Sequence, residues 1–376
     1  MPLQDIINGI GSIESLKKTL LAYDDPRVLL VSGKNSFKIS GAKLAIDTVL
    51  KNYKYTHFYD FKVNPQIEDV EEGVRIARSN DVDLIIAIGG GSVLDMAKLI
   101  KACFDESHDV ESIIKGISII VNPNIPLIAI PTTAGSGSES THFAVAYINK
   151  DKFSVADDCL MPNNVILDGL LCISATKYQK TCNALDALAQ GIESMWAVNS
   201  NTNSREIAHE AVLNCFKNIN DYVNDTNKNA EISQRALEAA NLAGQAINIS
   251  KTTAPHAWSY AISTNYDLPH GHAVWITLPK IFLIHAEFSE TSLSSYELKE
   301  VMVKLKLILG ISSETNIAEF FNKFLKDMDI AFDLSADFNL TDDEKLILSK
   351  SVNQERLLNN PVIFNDAQVN RIFNLF

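Results

Sequence analysis

Short apolar runs alternate with amphipathic segments in the first half of the chain. Apolar residues occupy successive positions of three such runs, at 27–32, 83–89 and 126–131. Runs that are apolar on both faces are typical of strands inside a parallel sheet. In the segment 67–81, Val70, Val74, Ile76 and Ala77 fall near one face of a helix. The alternation therefore predicts βαβ units and a parallel, layered sheet.

The pattern changes close to residue 168. Beyond the run at 162–168, helical periodicity dominates, as in the segments 205–222 and 233–248. A chain of 376 residues is long enough for two domains. We therefore predict an α/β domain at 1–168 and an all-α domain at 169–376.

Composition and charge disfavour several kinds of partner and of site. Lys and Arg total 33 against 46 Asp and Glu, a net charge of −13, which disfavours nucleic acid. The start of the chain lacks the basic and apolar regions of a signal peptide, and no window of about 18 apolar residues predicts a membrane span. The five scattered cysteines form no CxxC pair, against a disulfide framework or a thiolate zinc site. A cytoplasmic location is expected.

A glycine-rich loop follows the second predicted strand. Gly89, Gly90, Gly91 and Ser92 stand between that strand and an amphipathic helix. Glycines permit positive φ angles and close approach of a ligand to the backbone, Ser92 is expected as the N-cap, and helix N-termini bind anions. The loop predicts a pyrophosphate-binding site. The alternative is a tight turn that needs glycine only for its geometry.

A second loop of small residues follows the third predicted strand. The sequence PTTAGSGSE at 131–139 offers the hydroxyls of Thr132, Thr133 and Ser138. Both loops lie at carboxyl ends of strands, where open α/β sheets bind ligands. Alone, this loop is as consistent with a flexible surface loop. Together, the two loops favour a dinucleotide.

Three separated side chains have the chemistry of a metal site. On the predicted helix 183–195, Asp186 and Gln190 share a face at i and i+4, and His256 and His270 follow in the segment 251–279. One carboxylate and two imidazoles suit a divalent first-row metal with an open coordination position. From the residues alone, a solvated aspartate and histidines packed in the core remain an alternative.

Taken together, the motifs at 89–98, 131–139, 186–193 and 256–273 resemble, in order and spacing, the iron-containing or group III alcohol dehydrogenase family. The resemblance covers essentially the whole chain. It implies the dehydroquinate synthase-like fold, with an N-terminal dinucleotide-binding α/β domain, a C-terminal helical domain, and a cleft that holds NAD(P) and a metal. It implies an enzyme, an NAD(P)-dependent oxidoreductase that acts on CH–OH groups of a small alcohol or aldehyde. The oligomeric state is left open, with a homodimer as a possible assembly.

The resemblance also assigns roles by position. It implies that the pyrophosphate contacts Gly89, Gly90, Gly91 and Ser92, that the rest of the cofactor contacts Thr132, Thr133 and Ser138 with Lys152 near the nicotinamide, and that Asp186, His256 and His270 are the metal ligands. Iron-dependent members have a histidine where this chain has Gln190, a weaker ligand. Related glycerol dehydrogenases use zinc with one aspartate and two histidines, so both Fe²⁺ and Zn²⁺ are expected candidates.

Within the family, the chain resembles most the branch that reduces phosphonoacetaldehyde to 2-hydroxyethylphosphonate. The segments that carry this resemblance are 27–37, 61–74, 140–147 and 251–260; shared core and turn sequence is the alternative reading. The expected chemistry is polarisation of the carbonyl by the metal and hydride transfer from NAD(P)H. Tyr260 stands where many members have a further histidine, and Tyr260, His272 and a metal-linked water are the expected proton donors.

Cofactor and substrate choice follow from charge. After the strand at 28–31 no acidic residue occurs until Asp47, and Lys34 and Lys38 are placed to pair with a 2′-phosphate, which favours NADPH. These lysines are equally consistent with solvated surface residues. Lys152, Lys251 and His272 are the candidate contacts for a phosphonate. The alternatives are a small uncharged aldehyde as substrate, a cyclase or lyase like dehydroquinate synthase, and a nucleotide-binding protein without activity.

Overall fold

The computed structural model describes residues 4–121, 124–149, 151–293, 296–312, 316–334 and 337–374. The chain divides into two compact units. The first unit comprises Met1–Thr176 and Asp225–Gly244, and the second comprises Lys177–Asn224 and Gln245–Phe376. The first unit thus takes up a stretch from the helical half of the sequence. The domain boundary at residue 168 stays a prediction.

Eight strands occur among the described residues, all of them in the first unit. They are β1 Asp5–Asn8, β2 Val28–Ser32, β3 Tyr55–Phe58, β4 Leu84–Gly89, β5 Leu127–Pro131, β6 Phe143–Ile148, β7 Asp151–Ala156 and β8 Asn164–Leu167. Six of these form one parallel sheet in the order β1-β8-β5-β4-β2-β3, and β6 and β7 form an antiparallel pair. The predicted parallel sheet is confirmed.

The three strands expected from apolar runs lie side by side at the centre of the sheet. Every residue of β2, β4 and β5 is buried. Apolar clusters cover both faces of this centre, one around Ile85 and Leu99 and the other around Ile86 and Ile46. The sequence pattern missed β1 and β3, which are edge strands with exposed positions, because a half-exposed strand lacks a continuous apolar run.

Six α-helices accompany the sheet among the described residues between 16 and 114. They are α1 Leu16–Leu20, α2 Ser36–Ile39, α3 Ala42–Val49, α4 Ile67–Ser79, α5 Gly91–Ala102 and α6 Val110–Ile114. The helix predicted at 67–81 is confirmed as α4. Val70, Val74 and Ala77 are buried in the same cluster as the sheet, and Ile76 is only partly buried against it. The helix ends two residues early, since Asp81 adopts a positive φ of 47°.

The remaining helices begin at residue 177. They are α7 Lys177–Trp196, α8 Thr202–Asn224, α9 Ala230–Ser250, α10 Ala254–Tyr266, α11 His270–Trp275, α12 Leu278–Glu287, α13 Leu298–Ile308, α14 Ile317–Asp327, α15 Asp342–Lys350, α16 Gln354–Leu358 and α17 Asp366–Asn374. The predicted helical second half is confirmed, and the division between the two units falls inside α9, after Gly244. Over the described ranges, no helix combines the length and apolar character that crossing a bilayer requires.

Helix α7 forms the core of the second unit. Its residues from Lys180 to Trp196 are nearly all buried, so its polar side chains lie where water is excluded. Gly191 permits close packing against α8, because a Cβ at that position would lie 2.8 Å from Cγ2 of Val212. Trp275 of α11 donates from Nε1 to the carbonyl of Leu185 at 2.7 Å. Helix α7 is therefore a rigid support for any side chain it carries.

Candidate active site

The glycine loop joins β4 to α5 without left-handed residues. Gly90, the N-cap, has φ −78° and ψ −177°, an extended conformation, and none of the three glycines is among the described residues with positive φ. The expected use of positive φ here was wrong. The loop needs glycine for space: a Cβ on Gly89 would lie 2.5 Å from Cγ2 of Val93, and one on Gly91 would lie 2.9 Å from Oγ of Ser136.

Ser92 is not the N-cap, contrary to the prediction. It is the second residue of α5, and its Oγ accepts a hydrogen bond from the backbone N of Asn64 at 3.2 Å. Gly90 caps instead because an extended backbone there lets its carbonyl accept from the N–H of Val93 and Leu94, at 2.9 and 3.2 Å. The amino-terminal end of a 12-residue helix still faces this loop, which is the arrangement that binds phosphate groups.

The second loop lies against the first, as predicted from their positions after neighbouring strands. The backbone N of Thr132 donates to the carbonyl of Gly89 at 2.9 Å, and Thr133 is so close that a Cβ on Gly90 would lie 3.3 Å from its Oγ1. Gly137 is the glycine in this loop that does need a positive φ, of 60°. It packs on Gly244 of α9, where a Cβ on Gly137 would lie 2.5 Å from the Cα of Gly244.

Ser138 is held inside the first unit by two charged residues of α5. Its hydroxyl donates to Oδ1 of Asp95 at 2.7 Å and accepts from Nζ of Lys98 at 3.1 Å. Burial raises the pKa of Asp95 and lowers the pKa of Lys98 to about 8, while each charge favours the ionised form of the other. The charge of Lys152, half-buried on β7, also favours the ionised form of Asp95.

Asp186, His256 and His270 come together in the second unit. One ligand atom from each lies within 4.8 Å of the other two. Oδ1 of Asp186 is 3.4 Å from Nε2 of His256 and 3.9 Å from Nε2 of His270, and the two imidazole centroids are 5.0 Å apart. The three predicted ligands thus converge from α7, α10 and α11.

A glycine brings α11 onto α7 beside Asp186. A Cβ on Gly271 would lie 2.0 Å from the carbonyl of Cys182 and 2.9 Å from Cβ of Asp186, so only glycine permits this approach. His270, the residue before it, is the first residue of α11 and thereby reaches Asp186. The spacing of His256 and His270 in the sequence is explained by a helix, a turn with Asp267 at φ 53°, and this contact.

The three side chains differ in exposure. Asp186 is 6% and His256 4% exposed, whereas the side chain of His270 is 36% exposed. Burial by itself lowers the pKa of His256, but the carboxylates of Glu193 and Asp186 outweigh it and raise that pKa to about 9. Nε2 of His256 is buried and makes no hydrogen bond with a described residue. A buried imidazole nitrogen, a carboxylate and a second imidazole fit a divalent metal ion, with an open side at His270.

The other predicted site residues, Gln190, Tyr260 and His272, also lie in the second unit. Gln190 is buried on α7, one turn after Asp186. The ring centroid of Tyr260 lies 6.2 Å from that of His270. His272 has both ring nitrogens in use: Nδ1 is 2.8 Å from the hydroxyl of Tyr178, and Nε2 is 2.6 Å from the carbonyl of Ala331. This geometry disfavours His272 as a proton donor, a role that stays a prediction.

Two lysines that the sequence predicts as ligand contacts form ion pairs with carboxylates. Lys251 lies 2.5 Å from Oε1 of Glu355, and Lys34 lies 2.8 Å from Oδ1 of Asp60. Asp60 follows β3 at the edge of the sheet, and no apolar run signalled that strand. Sequence reasoning also missed Glu193, whose position two turns after Asp186 on the same helix was the available signal.

Comparisons with known proteins identify the family. The family described as iron-containing alcohol dehydrogenase matches residues 4–169, and the C-terminal family of Fe-containing alcohol dehydrogenases matches residues 181–375. The fold of the two units and the group Asp186, His256 and His270 agree with that match. The chain belongs to the iron-containing alcohol dehydrogenase family.

Three relatives illustrate the range of the similarity. The long-chain primary alcohol dehydrogenase AdhA of Thermoanaerobacter ethanolicus is 30% identical over 73% of this chain and 70% of its own. The phosphonoacetaldehyde reductase of Streptomyces viridochromogenes is 31% identical over 55% of this chain and 54% of its own. The crystal structure of sulfoacetaldehyde reductase from Bifidobacterium kashiwanohense in complex with NAD⁺ superposes with a TM-score of 0.87 at 25% identity, over 98% of this chain and 96% of that chain.

These matches settle the class of enzyme. The chain is an oxidoreductase of the alcohol dehydrogenase class, acting on CH–OH groups and their carbonyl products with a nicotinamide cofactor. The dinucleotide expected from the two loops and the dehydroquinate synthase-like architecture are consistent with this family.

Proposed function

We propose that the protein is a metal-dependent NAD(P)H-linked aldehyde reductase that converts phosphonoacetaldehyde to 2-hydroxyethylphosphonate. The observation that carries the metal-dependent reaction is the convergence of Asp186, His256 and His270 within 4.8 Å. The substrate is supported by the 31% identity to a phosphonoacetaldehyde reductase. It is further supported by the fold shared with a sulfoacetaldehyde reductase, which also acts on an acetaldehyde with an acidic group.

Different residues of this chain would hold the metal ion and bind the cofactor. A bound Fe²⁺ or Zn²⁺ would polarise the carbonyl oxygen of the aldehyde, and the reduced nicotinamide would supply the hydride. Asp186 and His256, both buried, bind the ion in a site with little water, and His270 closes the set at the more exposed side. The loop at Gly89, Gly90 and Gly91 binds the pyrophosphate at the start of α5.

The phenol of Tyr260 is the proton donor that we propose. Its ring lies beside that of His270, one turn of α10 after His256. His272 is less suited, because its two nitrogens already bond Tyr178 and Ala331 and because burial lowers its pKa. The role of Tyr260 is to deliver a proton from Oη to the alkoxide as hydride arrives. Tyr260→Phe should then lower kcat while leaving metal content unchanged.

A screen of aldehydes tests the proposed substrate. The protein, loaded separately with Fe²⁺ and with Zn²⁺ under anaerobic conditions, is assayed with phosphonoacetaldehyde, sulfoacetaldehyde and propanal, each with NADPH and with NADH. We expect kcat/KM to be highest for phosphonoacetaldehyde. A higher value for sulfoacetaldehyde would contradict the phosphonate assignment and keep an anionic substrate. Absence of any metal-dependent turnover would contradict the reductase proposal.

A small uncharged aldehyde is the second candidate substrate. The observation that favours it is the occupation of two proposed phosphonate contacts: Lys251 pairs with Glu355, and His272 is buried with both nitrogens bonded. A dianion would then have to separate Lys251 from Glu355, an exposed pair of a kind that contributes about 0.2–1 kcal/mol. In the same screen, propanal would give the highest kcat/KM. Lys251→Ala would then leave that value unchanged.

NADPH is the cofactor that we propose as favoured. Lys34 and Lys38 are both exposed after β2, where the sheet ends beside the glycine loop. The pair of Lys34 with Asp60 is exposed, with side-chain exposures of 64% and 79%, so a 2′-phosphate can replace that partner at small cost. A kcat/KM for NADPH at least equal to that for NADH is the expected result.

A further inference from the structure

A fully buried carboxylate, Glu193, lies behind the metal-binding histidine His256. Oε1 of Glu193 is 2.6 Å from Nδ1 of His256, and Glu193 is 0% exposed. Asp186 and Glu193 stand two turns apart on α7, and the imidazole of His256 lies between them with Nε2 3.4 Å from Asp186. One face of a single helix therefore supplies carboxylates to both nitrogens of this ring.

The other oxygen of Glu193, Oε2, accepts hydrogen bonds from two groups that can act only as donors here. Oε2 accepts from the backbone N of Thr253 at 2.5 Å and from Oγ1 of Thr253 at 3.0 Å. Oγ1 of Thr253 in turn accepts from Nε1 of Trp196 at 2.8 Å, so its single proton points to Glu193. The carboxylate is thus held in one orientation, with Oε1 left as an acceptor for His256.

This arrangement determines which nitrogen of His256 carries a proton. Because Oε1 is an acceptor, Nδ1 must donate, and the lone pair of the neutral ring is then on Nε2, the atom that faces Asp186 and His270. The contact of His270 with Ser259 is of a different kind: Nδ1 of His270 is 3.4 Å from Oγ of Ser259, a neutral hydroxyl that donates to the carbonyl of His256.

We infer that Glu193 is a positioning residue that sets the tautomer and orientation of His256 and thereby the affinity of the site for its metal. The inference rests on the proposed metal site. Carboxylates that hold a metal-binding imidazole typically change metal affinity by 10- to 100-fold when removed. His256 is thereby held by a carboxylate whose own orientation is fixed by Thr253.

Glu193→Gln is the decisive substitution. The two donors of Thr253 require the amide oxygen of the new side chain to take the place of Oε2, which turns the amide NH₂ toward Nδ1 of His256. Nδ1 must then accept, and the proton moves to Nε2, where it blocks the metal. We expect the Kd for Zn²⁺, measured by competition with a chromophoric chelator, to rise 10- to 100-fold.

Two matched variants separate this effect from general loss of structure. Ser259→Ala removes the hydroxyl that lies 3.4 Å from Nδ1 of His270. Thr253→Val removes a hydroxyl that donates to Glu193 without touching His256. Each should change the Kd less than threefold. Glu193→Asp keeps a carboxylate acceptor and should retain more affinity than Glu193→Gln. Should Glu193→Gln not fold, Glu193→Asp, whose shorter side chain draws the acceptor away from Nδ1 of His256, should still raise the Kd more than Thr253→Val does.

Nuclear magnetic resonance gives a readout that a purely structural role would not move. In the Zn²⁺-loaded protein with ¹⁵N-labelled histidine, the Nδ1 proton of His256 should be protected from exchange, and it should stay so in Ser259→Ala but not in Glu193→Gln. Zn²⁺ binding by Glu193→Gln within threefold of the wild type would overturn the inference. If the wild type binds no Zn²⁺, or binds it equally after Asp186→Asn, the metal site itself is wrong.

Discussion

Nζ of Lys98 lies 3.1 Å from Oγ of Ser138 and 2.5 Å from its carbonyl, so α5 holds the second loop through a buried charge. Oγ1 and the carbonyl of Thr141, at 3.0 and 2.7 Å, and the carbonyl of Phe143 also lie within hydrogen-bonding distance of this ammonium, whose three protons are therefore all used. The helix whose amino-terminal end faces the glycine loop therefore also fixes the neighbouring loop. We therefore expect cofactor binding and the stability of the first unit to depend on Lys98.

Lys98→Met should impair both cofactor binding and the stability of the first unit. Removing the ammonium leaves buried acceptors without a donor and Asp95 without its counter-charge, which destabilises by about 3–5 kcal/mol. Urea unfolding measures this loss. NADPH affinity, followed by the fluorescence of the reduced nicotinamide, should fall as well because Ser138 and its loop are released. Lys115→Met is the control: its ion pair with Glu111 is exposed, and its loss should cost less than about 1 kcal/mol.

Unchanged urea stability in Lys98→Met would contradict the role of Lys98 as a buried support. A fall in stability with unchanged NADPH affinity would show instead that the loop keeps its geometry without the ammonium.

Substitution of the metal ligands should abolish metal binding in the second unit and leave cofactor binding in the first unit intact. We expect Asp186→Ala, His256→Ala and His270→Ala each to lose bound metal and turnover, since each removes one of three converging ligands. NADPH binding should persist, because the glycine loop is built in the first unit. Gln190→Ala should cost far less, since an amide oxygen is a weaker ligand than imidazole or carboxylate. Metal content by atomic absorption and NADPH titration check these outcomes.

A variant of His256 or His270 that retains full metal content would show that the ligand set is misassigned. A loss of NADPH binding in all three alanine variants would show that they perturb more than the second unit.

Local sequence pattern was sufficient for the centre of the fold. The runs that became β2, β4 and β5 were predictable because strands buried on both faces are apolar throughout, and α4 because one side of it packs on the sheet. The β6–β7 pair escaped because alternate residues of β6 are only half-buried, so no continuous apolar run marks it. Periodicity does not report edge strands reliably.

The site was predictable only in part, for a physical reason. Ligand types and their order along the chain identified Asp186, His256 and His270, since the chemistry of a metal restricts the residues that can hold it. Supporting residues carry no such signature: Glu193 and Lys98 look like ordinary helix residues until tertiary structure buries them. Likewise, only the approach of Gly271 to Cys182 explains why glycine follows His270.

Acid should destabilise the protein through His285. Burial lowers the pKa of this histidine to about 3, and the hydrogen bond from Nδ2 of Asn360 at 3.0 Å keeps the ring in place. The unfolded chain binds a proton near pH 6.5 while the folded chain does not, so the stabilisation present above pH 6.5 is lost as pH falls toward 3. The expected slope is about 1.4 kcal/mol per pH unit.

Denaturant unfolding of His285→Gln between pH 4 and 8 measures the contribution. The amide does not titrate and keeps an acceptor for Asn360, so the variant should lose stability less steeply than the wild type below pH 6.5. Above pH 7 the free energies of unfolding of the two proteins should differ by a constant amount, which reflects the different packing of the two side chains. Parallel profiles over the whole range would exclude His285 as the acid-sensitive group.

Cofactor preference should respond to the pair formed by Lys34 and Asp60. Because Asp60 competes with a 2′-phosphate for Lys34, Asp60→Asn should raise the ratio of kcat/KM for NADPH to that for NADH, and Lys34→Ala should lower it. Each change should be a few-fold, since an exposed ion pair contributes about 0.2–1 kcal/mol. Added salt should reduce both effects by screening. If Lys34→Ala leaves the ratio unchanged, Lys34 is a solvated surface residue, and the preference for NADPH must be explained without it.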